Sequence, residues 1–268
     1  MTLRATENVT SSRSVLAARA LVRDATRLMV LTGAGISAES GVPTFRGAGG
    51  LWKNFRPEDL ATPDAFARDP RLVWEWYGWR RELVSGCEPN AAHHALAAAA
   101  RRHTDVRIVT QNVDGLHGLA AGTDGARPLE LHGSLFQTRC TRCAERWDDR
   151  QPVDATSLST IPHCSACGAI GRPGVVWFGE SLDSAVLNEA IRVASAADVC
   201  LVVGTSAVVH PAAGLADLTR RAGGHVIEIN LEDTPLTGVA TVAIRGTAAS
   251  LVPQILAPPS SVSDEGER

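Results

Sequence analysis

The chain has 268 residues, 44% of them hydrophobic, and a formal net charge of −3. This length and composition suit one large domain or a domain with a smaller insert. The slightly acidic balance gives no overall field that favours nucleic acid or an anionic membrane, and no apolar run approaches the ~20 residues that cross a bilayer. Because residues 1–14 also lack the apolar stretch of a signal peptide, we expect a cytoplasmic protein.

Short apolar strands and helices alternate along most of the chain. Residues 1–12 are polar and are expected to be frayed, after which Ser14 caps a helix that ends near Asp24. Strands are predicted over residues 27–31, 106–110, 129–131, 175–178, 199–203 and 225–229, and helices over 72–84, 90–102, 114–120, 183–194, 211–221 and 247–255. This alternation is typical of an α/β fold, a Rossmann-like, doubly wound parallel sheet with helices on both faces.

Residues 134–174 interrupt this alternation with four paired cysteines, several turn formers and few large apolar residues. We expect them to form a small inserted metal-binding domain. The Rossmann-like domain then comprises residues 14–133 and 175–256, and part of 34–103 forms the helical portion of the small domain. Residues 257–268 are rich in serine and charge, which predicts a disordered tail.

The paired cysteines follow the pattern Cys140-x2-Cys143-x20-Cys164-x2-Cys167. In a chain without an export signal, this double pair favours one closed, tetrahedral, structural Zn²⁺ site over disulfides or redox chemistry. Such a site would hold together a module that has little core of its own. Cys200, which lies apart in an apolar run, is most simply a buried residue.

Ligands of parallel sheets bind beyond the carboxyl ends of the strands, here the loops at residues 33–46, 111–114, 204–206 and 230–232. The first loop continues as GAGISAESGVPTFRG over residues 33–47. Glycines after a first strand let the backbone approach a pyrophosphate. For the first two glycines alone an ordinary glycine-rich turn is an equally good interpretation, because the third comes too late for G-x-G-x-x-G.

The whole fifteen-residue run resembles the signature of the sirtuin family, GAGIS-x5-PTFRG. The resemblance continues in family order through QNVD at 111–114, LHGS at 131–134, the cysteine pairs, VWFGE at 176–180, GTS at 204–206 and NLE at 230–232. These blocks cover roughly residues 14–256. The resemblance implies an NAD-dependent protein-lysine deacylase that holds a structural zinc and acts on acyl-lysine proteins or peptides.

In the mechanism that the resemblance implies, the acyl-lysine carbonyl oxygen attacks C1′ of the nicotinamide ribose and nicotinamide leaves. His132 would then be the general base for a ribose hydroxyl, since an unperturbed imidazole pKa of about 6.5 suits proton transfer near neutrality. Asn112 would order the ribose or a water. The competing histidine, His117, falls on a predicted short helix and is expected to be structural.

The resemblance also assigns the NAD site. Asp114 would hold the nicotinamide carboxamide, Phe45 would shield the ribose face, and Arg46 would steady a phosphate or ribose. Residues 204–206 would bind phosphate and Asn230 the adenosine ribose. The full set that it assigns to NAD is Gly33, Ala34, Gly35, Ala38, Glu39, Thr44, Phe45, Arg46, Trp52, Gln111, Asn112, Asp114, Gly204, Thr205, Ser206, Asn230, Glu232 and Ala248.

One helix indicates the acyl group. Tyr77 and Arg80 lie three residues apart and so share a helix face, and Tyr-x-x-Arg resembles the class III sirtuins, which remove malonyl, succinyl and glutaryl groups. An arginine fork pairs bidentately with a carboxylate, and a phenol adds a donor. Taken alone, Arg80 is more simply a snorkelling surface arginine; the matched context reverses that preference. Arg81 points elsewhere and serves as a comparison.

The substrate peptide would lie as an added strand in a cleft between the two domains. The residues expected to contact it are Val176, Phe178, Gly179 and Glu180, with Val208, Val209 and His210 at the edge. His210 departs from the aromatic residue that close relatives commonly have, which puts the detailed peptide preference in doubt. The working form is expected to be a monomer.

Other functions fit parts of the sequence. A plain deacetylase or an ADP-ribosyltransferase would use the same NAD site. A zinc-ribbon module that binds nucleic acid is disfavoured by the acidic balance, and Arg139, Arg142 and Arg146 are more simply a solvated cluster. A catalytically silent NAD sensor is disfavoured by the presence of His132.

Overall fold

The computed structural model describes residues 3–43, 56–102 and 105–258. Its strands are β1 (Leu28–Thr32), β2 (Val106–Thr110), β3 (Leu129–Glu130), β4 (Gly133–Cys140), β5 (Arg146–Asp148), β6 (Gly171–Val175), β7 (Val199–Val203), β8 (His225–Asn230) and β9 (Val242–Arg245). Its helices are α1 (Leu3–Asp24), α2 (Pro57–Leu60), α3 (Pro63–Arg68), α4 (Pro70–Ser85), α5 (Ala91–Arg102), α6 (Leu116–Ala121), α7 (Ser184–Ala196), α8 (Leu215–Arg221) and α9 (Ala248–Leu256).

The larger sheet has the order β3-β2-β1-β7-β8-β9 over the described residues, and every neighbouring pair is parallel. Its first half grows outward from β1 through β2 to β3, and its second half grows from β7 the other way. The strand order therefore reverses between β1 and β7, and open α/β sheets bind ligands outside the carboxyl ends of the strands at such a point.

Alternate residues of each strand enter different cores on the two faces of this sheet. In β1, Leu28 and Val30 pack with α1, α5 and α9, whereas Met29 and Leu31 pack with α7 and α8. Both faces are therefore covered, and the predicted Rossmann-like, doubly wound fold is confirmed.

The inserted region that carries the paired cysteines contains a smaller antiparallel sheet, in the order β5, β4 and β6. This region is called the module below. Trp74 and Trp76 of α4 form a third core with Leu135, Phe136 and other residues of this region. Arg81 strengthens the contact, because its Nε donates to Leu135 O at 2.6 Å and its Nη1 lies 3.3 Å from Asp149 Oδ2. The helices from the 56–85 region thus pack on the cysteine-bearing module.

Several boundaries differ from the predictions. The first helix starts at Leu3 rather than Ser14, since no Gly or Pro interrupts residues 3–13 and the polarity of this stretch does not prevent a helix. Residues 176–178 are not a strand, because extended pairing ends with β6 at Val175. The predicted helix 211–221 is a 3₁₀ turn, Ala212–Gly214, followed by α8.

Edge strand β9 was not predicted, because its four residues are too short a run to show an alternation. The predicted tail lies outside the described residues beyond residue 258. No helix in the described part of the chain is both long and apolar enough to cross a membrane.

Candidate active site

A cavity of about 390 Å³ lies beyond the carboxyl ends of β1, β2 and β7. The loops after these strands form one side, and α4 and the segment after β6 form the other. Sequence-predicted residues in its lining are Gly33, Ala34, Tyr77, Arg80, Gln111, Asn112, His132, Val176, Phe178, Gly179, Glu180, Gly204, Thr205, Ser206, Val209 and His210. The fold therefore collects residues that are up to 177 positions apart in the chain, from Gly33 to His210.

The glycines of the first loop let it lie directly against the loop after β7. Gly35 N donates to Gly204 O at 2.8 Å, and a Cβ on Gly35 would lie 2.7 Å from Gly204 Cα. Gly204 itself has φ +60°, a conformation that side chains rarely adopt. Backbone contact between two loops is thus a sufficient reason for these glycines, independent of any phosphate.

His132 is held by its ring nitrogen. Its Nδ1 lies 2.9 Å from Gln111 O, and since a carbonyl only accepts, Nδ1 carries the proton and Nε2 has the lone pair. Burial lowers the pKa of His132 below its ordinary value, and the bond to Gln111 opposes this in part. The imidazole is therefore neutral at pH 7, in the tautomer that accepts a proton at Nε2.

A short polar chain links the first two loops. Asn112 Nδ2 donates to Ser37 Oγ at 3.1 Å, and Ser37 Oγ donates to Asp114 Oδ2 at 2.8 Å. Leu116 N donates to the other carboxylate oxygen of Asp114 at 2.9 Å. Burial raises the pKa of Asp114, while these donors and the charge of Arg80 oppose the rise. Ser37 was not predicted as a site residue, although its place in the glycine loop was a usable signal.

The predicted structural histidine, His117, anchors a second chain of hydrogen bonds. Its Nε2 lies 2.9 Å from Thr32 Oγ1, which donates to Thr110 Oγ1 at 2.9 Å. Thr110 Oγ1 also accepts from Asn112 N at 3.0 Å. Thr32 uses its proton on Thr110, so His117 donates from Nε2. Burial lowers the pKa of His117 to about 3, and the ring stays neutral.

A second buried histidine touches this region and was not predicted. His93 Nε2 lies 3.4 Å from Ser37 Oγ, and the His93 and His117 rings meet edge to face with centroids 4.9 Å apart. Burial lowers the pKa of His93 to about 4. Its predicted position on an alanine-rich helix gave no hint of this contact, which depends on how α5 and α6 pack.

Tyr77 and Arg80 share the cavity-facing side of α4. Tyr77 is 2% exposed, and its hydroxyl accepts a hydrogen bond from Trp177 Nε1 at 2.9 Å. The guanidinium carbon of Arg80 lies 5.1 Å from the centre of the Trp76 ring. Burial lowers the pKa of Arg80, although the group keeps its charge at neutral pH.

The mouth of the cavity is apolar. Phe178, Val208 and Val209 expose 51%, 44% and 42% of their surfaces. Glu180 is held away from solvent by ion pairs, at 2.6 Å to Arg172 Nη1 and 2.8 Å to Arg139 Nη2. Glu180 is thus neutralised by the protein itself, whereas Glu58, which also lines the cavity, is exposed.

The remaining residues that were predicted to bind NAD are not part of the described cavity lining. Asn230 Nδ2 donates to Thr205 O at 2.8 Å, which ties the β8 loop to the β7 loop. Glu39 accepts from Ala249 N at 2.8 Å, at the start of α9 next to Ala248. Ala38 and Glu232 are exposed. Thr44, Phe45, Arg46 and Trp52 lie outside the described residues.

The four paired cysteines converge as predicted. Their Sγ atoms all lie within 4.8 Å of one another, and two of the pairs, Cys140–Cys167 and Cys143–Cys164, are 3.4 and 3.7 Å apart. These distances exclude disulfides, which need about 2.05 Å, and match thiolates that share one tetrahedral zinc. Arg142 N and Cys143 N each lie 3.3 Å from Cys140 Sγ, so backbone donors favour a thiolate there. The donor set fits a structural Zn²⁺.

Comparisons with known proteins agree with this geometry. The model of the Sir2 family matches residues 33–211. NAD-dependent protein deacylase 2 of Pyrobaculum aerophilum is 46% identical over 237 residues, which cover 88% of this chain and 92% of that protein. The NAD-dependent protein deacylase of Thermus thermophilus is 46% identical over 254 residues, 93% and 96% of the two chains.

Solved structures give the same result. A Sir2 homologue in complex with NAD has a TM-score of 0.82 and 45% identity, and the match covers 89% of this chain and 91% of the other. A complex of Sir2 with a p53 peptide and NAD⁺ has a TM-score of 0.76 and 32% identity, with coverage of 88% and 94%.

Proposed function

The chain belongs to the Sir2 (sirtuin) family, and we propose that it is an NAD-dependent protein-lysine deacylase with a preference for acidic acyl groups. It removes succinyl, malonyl and glutaryl groups, and also acetyl, and releases nicotinamide and an O-acyl-ADP-ribose. Relatives named as NAD-dependent protein deacylases support the reaction class. The observation that carries the proposal is one cavity with a proton acceptor, His132, and the donor pair Tyr77 and Arg80 in its lining.

Each residue has a chemical task that its contacts suit. When bound, NAD supplies an electrophilic ribose carbon and the ribose hydroxyls. His132 accepts a hydroxyl proton at Nε2, because Gln111 O fixes the proton of the ring at Nδ1. Asn112 lines the cavity and is tied through Ser37 to the buried Asp114, so its amide is held in place as a polar group that suits a carboxamide or a ribose.

The acyl preference follows from charge. Arg80 brings a positive charge into the cavity lining, whereas Glu180 is neutralised by two arginines. A carboxylate at the end of an acyl chain accepts two hydrogen bonds from a guanidinium, which a methyl group does not.

The exposed apolar edge at Phe178 suits a substrate peptide that pairs by its backbone. We propose that the protein works as a monomer and that it acts on proteins or peptides rather than on nucleic acid. The proposed division is a Rossmann-like domain of residues 14–133 and 175–256 around a zinc module of residues 134–174.

The test is a comparison of four peptides that differ only in the lysine acyl group: acetyl, malonyl, succinyl and glutaryl. We expect higher kcat/KM for the acidic groups, and we expect Arg80→Met to remove this preference. The control is Arg71→Met, which changes an exposed arginine of the same helix outside the cavity.

Other outcomes point to other functions. If acetyl-lysine turns over fastest and Arg80→Met leaves succinyl-lysine activity unchanged, the protein is a deacetylase. Transfer of labelled ADP-ribose to protein, without removal of the acyl group from the peptide lysine, identifies an ADP-ribosyltransferase.

A further inference from the structure

Trp177 contacts both Tyr77, in the cavity lining, and the ion pair of Arg172 and Glu180. The indole is 3% exposed and lines the cavity, and its Nε1 donates to Tyr77 Oη at 2.9 Å. An indole N–H only donates, so the direction of this hydrogen bond is fixed. Tyr77 therefore acts as the acceptor.

This direction determines what the Tyr77 hydroxyl offers to a ligand. The Trp177 N–H occupies one lone pair of the Tyr77 oxygen, so the phenolic O–H must donate to another group. Among the described residues, no acceptor for this O–H is found. Burial also raises the pKa of Tyr77 to about 12, so the hydroxyl keeps its proton at neutral pH. Since Tyr77 lines the same cavity as Arg80, its O–H is available to an acyl group bound there.

The indole is itself held in place by contacts with an arginine and with a second aromatic ring. Arg172 lies over its ring, with Cζ 3.2 Å from the ring centre, and Phe66 approaches with a centroid distance of 5.3 Å. Glu180 holds Arg172 through bonds of 2.6 and 2.9 Å and also accepts from Trp177 N at 2.9 Å. Arginine, glutamate and tryptophan thus form one rigid unit.

We propose that Trp177 is a specificity-determining residue, which fixes the Tyr77 hydroxyl as a hydrogen-bond donor toward the carboxylate of an acidic acyl group. The Arg172–Glu180 pair is the positioning element, because it holds the indole in the orientation in which its N–H faces Tyr77. Without the indole N–H, the phenol rotates and presents a lone pair, which repels a carboxylate. An acetyl group ends in a methyl group and gains nothing from either orientation. This inference rests on the proposed preference for acidic acyl groups.

The test is the ratio of kcat/KM for succinyl-lysine to that for acetyl-lysine. Trp177→Phe keeps an aromatic ring and removes the N–H, and we expect it to lower the ratio about tenfold, the effect of one hydrogen bond to a charged group. Tyr77→Phe should lower the ratio to a similar extent. The double variant should fall no further, because both changes remove the same hydrogen bond.

A matched control exists on α4. Trp74 is fully buried, and its Nε1 donates to Gly171 O at 2.9 Å, away from Tyr77. Trp74→Phe therefore removes a comparable buried hydrogen bond and should leave the ratio as in the wild type. If Trp177→Phe fails to melt cooperatively, benzothienylalanine introduced at position 177 keeps the shape of the side chain and lacks only the N–H, and the same ratio is measured.

The outcomes distinguish a failure of the inference about Trp177 from a failure of the proposed preference for acidic acyl groups. If Tyr77→Phe lowers the ratio and loss of the Trp177 N–H does not, or if the two effects add, the inference about Trp177 is overturned and the proposed function stands. If the wild type itself prefers acetyl-lysine and Arg80→Met does not change the ratio, the proposed acyl preference fails first.

Discussion

The proton on His132 is placed by a single backbone carbonyl, and this has a consequence for the pH dependence of the reaction. The base must be neutral, and burial lowers its pKa below the ordinary 6.5. We therefore expect activity to survive to lower pH than an ordinary histidine would allow. A profile of log kcat/KM against pH should show an acid limb with its midpoint below 6.5 and a slope of one proton.

A neighbouring carboxyl needs a control in that measurement. Burial raises the pKa of Glu130 to about 7, so this group titrates in the same range. In Glu130→Gln the acid limb should persist if His132 is its source. A limb that vanishes in this variant assigns the titration to Glu130 and contradicts the role of His132.

His117 links the site to stability. Its pKa of about 3 in the folded protein lies below the 6.5 of an unfolded histidine, so between these values the unfolded chain binds one more proton. The contribution of the neutral His117 ring to the free energy of unfolding is fully present above pH 6.5 and is lost as the pH falls toward 3. In His117→Leu the slope of unfolding free energy between pH 4 and 6 should decrease by about 1.4 kcal/mol per pH unit.

Urea unfolding at several pH values measures this slope. An unchanged slope in His117→Leu would mean that His117 titrates alike in both states and is not buried as a neutral ring.

At the scale of elements, the sequence predicted those whose pattern is local. Strands β2 and β7 were predicted with their observed bounds, because each is an apolar run between polar turns. Strand β9 and the sheet of the module were missed. Their strands are short or hold polar residues, and they are specified by pairing with β8 and around the cysteines rather than by their own composition.

For the site as well, residues with a local sequence signal were predicted, whereas residues that meet only through tertiary packing were not. The strand-end rule and the family motif identified His132 and the loops around it. Thr32, Thr110 and His93 were not predicted, because their contacts join segments that are 56 to 85 residues apart. The link from Trp177 to Tyr77 spans 100 residues and depends on how α4 packs against the segment after β6. Such contacts are a property of packing, which a local pattern does not contain.

Helix α4 carries Tyr77 and Arg80, and its start is fixed by a cap. Asp69 Oδ1 accepts from Arg71 N at 3.1 Å and from Leu72 N at 3.2 Å. Asp69→Ala should lower the free energy of unfolding by about 1 kcal/mol. Asp124→Ala, which changes an exposed loop aspartate, should alter it by less than about 0.5 kcal/mol in the same urea titration. Equal effects would show that the cap is not formed.

At the scale of the whole molecule, the metal module packs against helix α4, which carries Tyr77 and Arg80 into the cavity lining. We expect one zinc per chain by elemental analysis, and we expect Cys164→Ser to lose it together with cooperative unfolding of the module. Cys87→Ser is the matched control, since Cys87 donates to Leu83 O, a bond that serine can keep. Retention of stoichiometric zinc by Cys164→Ser would contradict the four-cysteine site.

We propose that loops of the parallel sheet and the segment after β6 bring an acyl-lysine beside a ribose whose hydroxyl His132 activates. The most direct test is mass spectrometry of a reaction with NAD and a succinyl-lysine peptide. The wild type should yield succinyl-ADP-ribose and nicotinamide in equal amounts, and His132→Ala should slow this at least roughly 10²-fold. Release of free succinate without consumption of NAD, or a His132→Ala variant as fast as the wild type, would contradict the account.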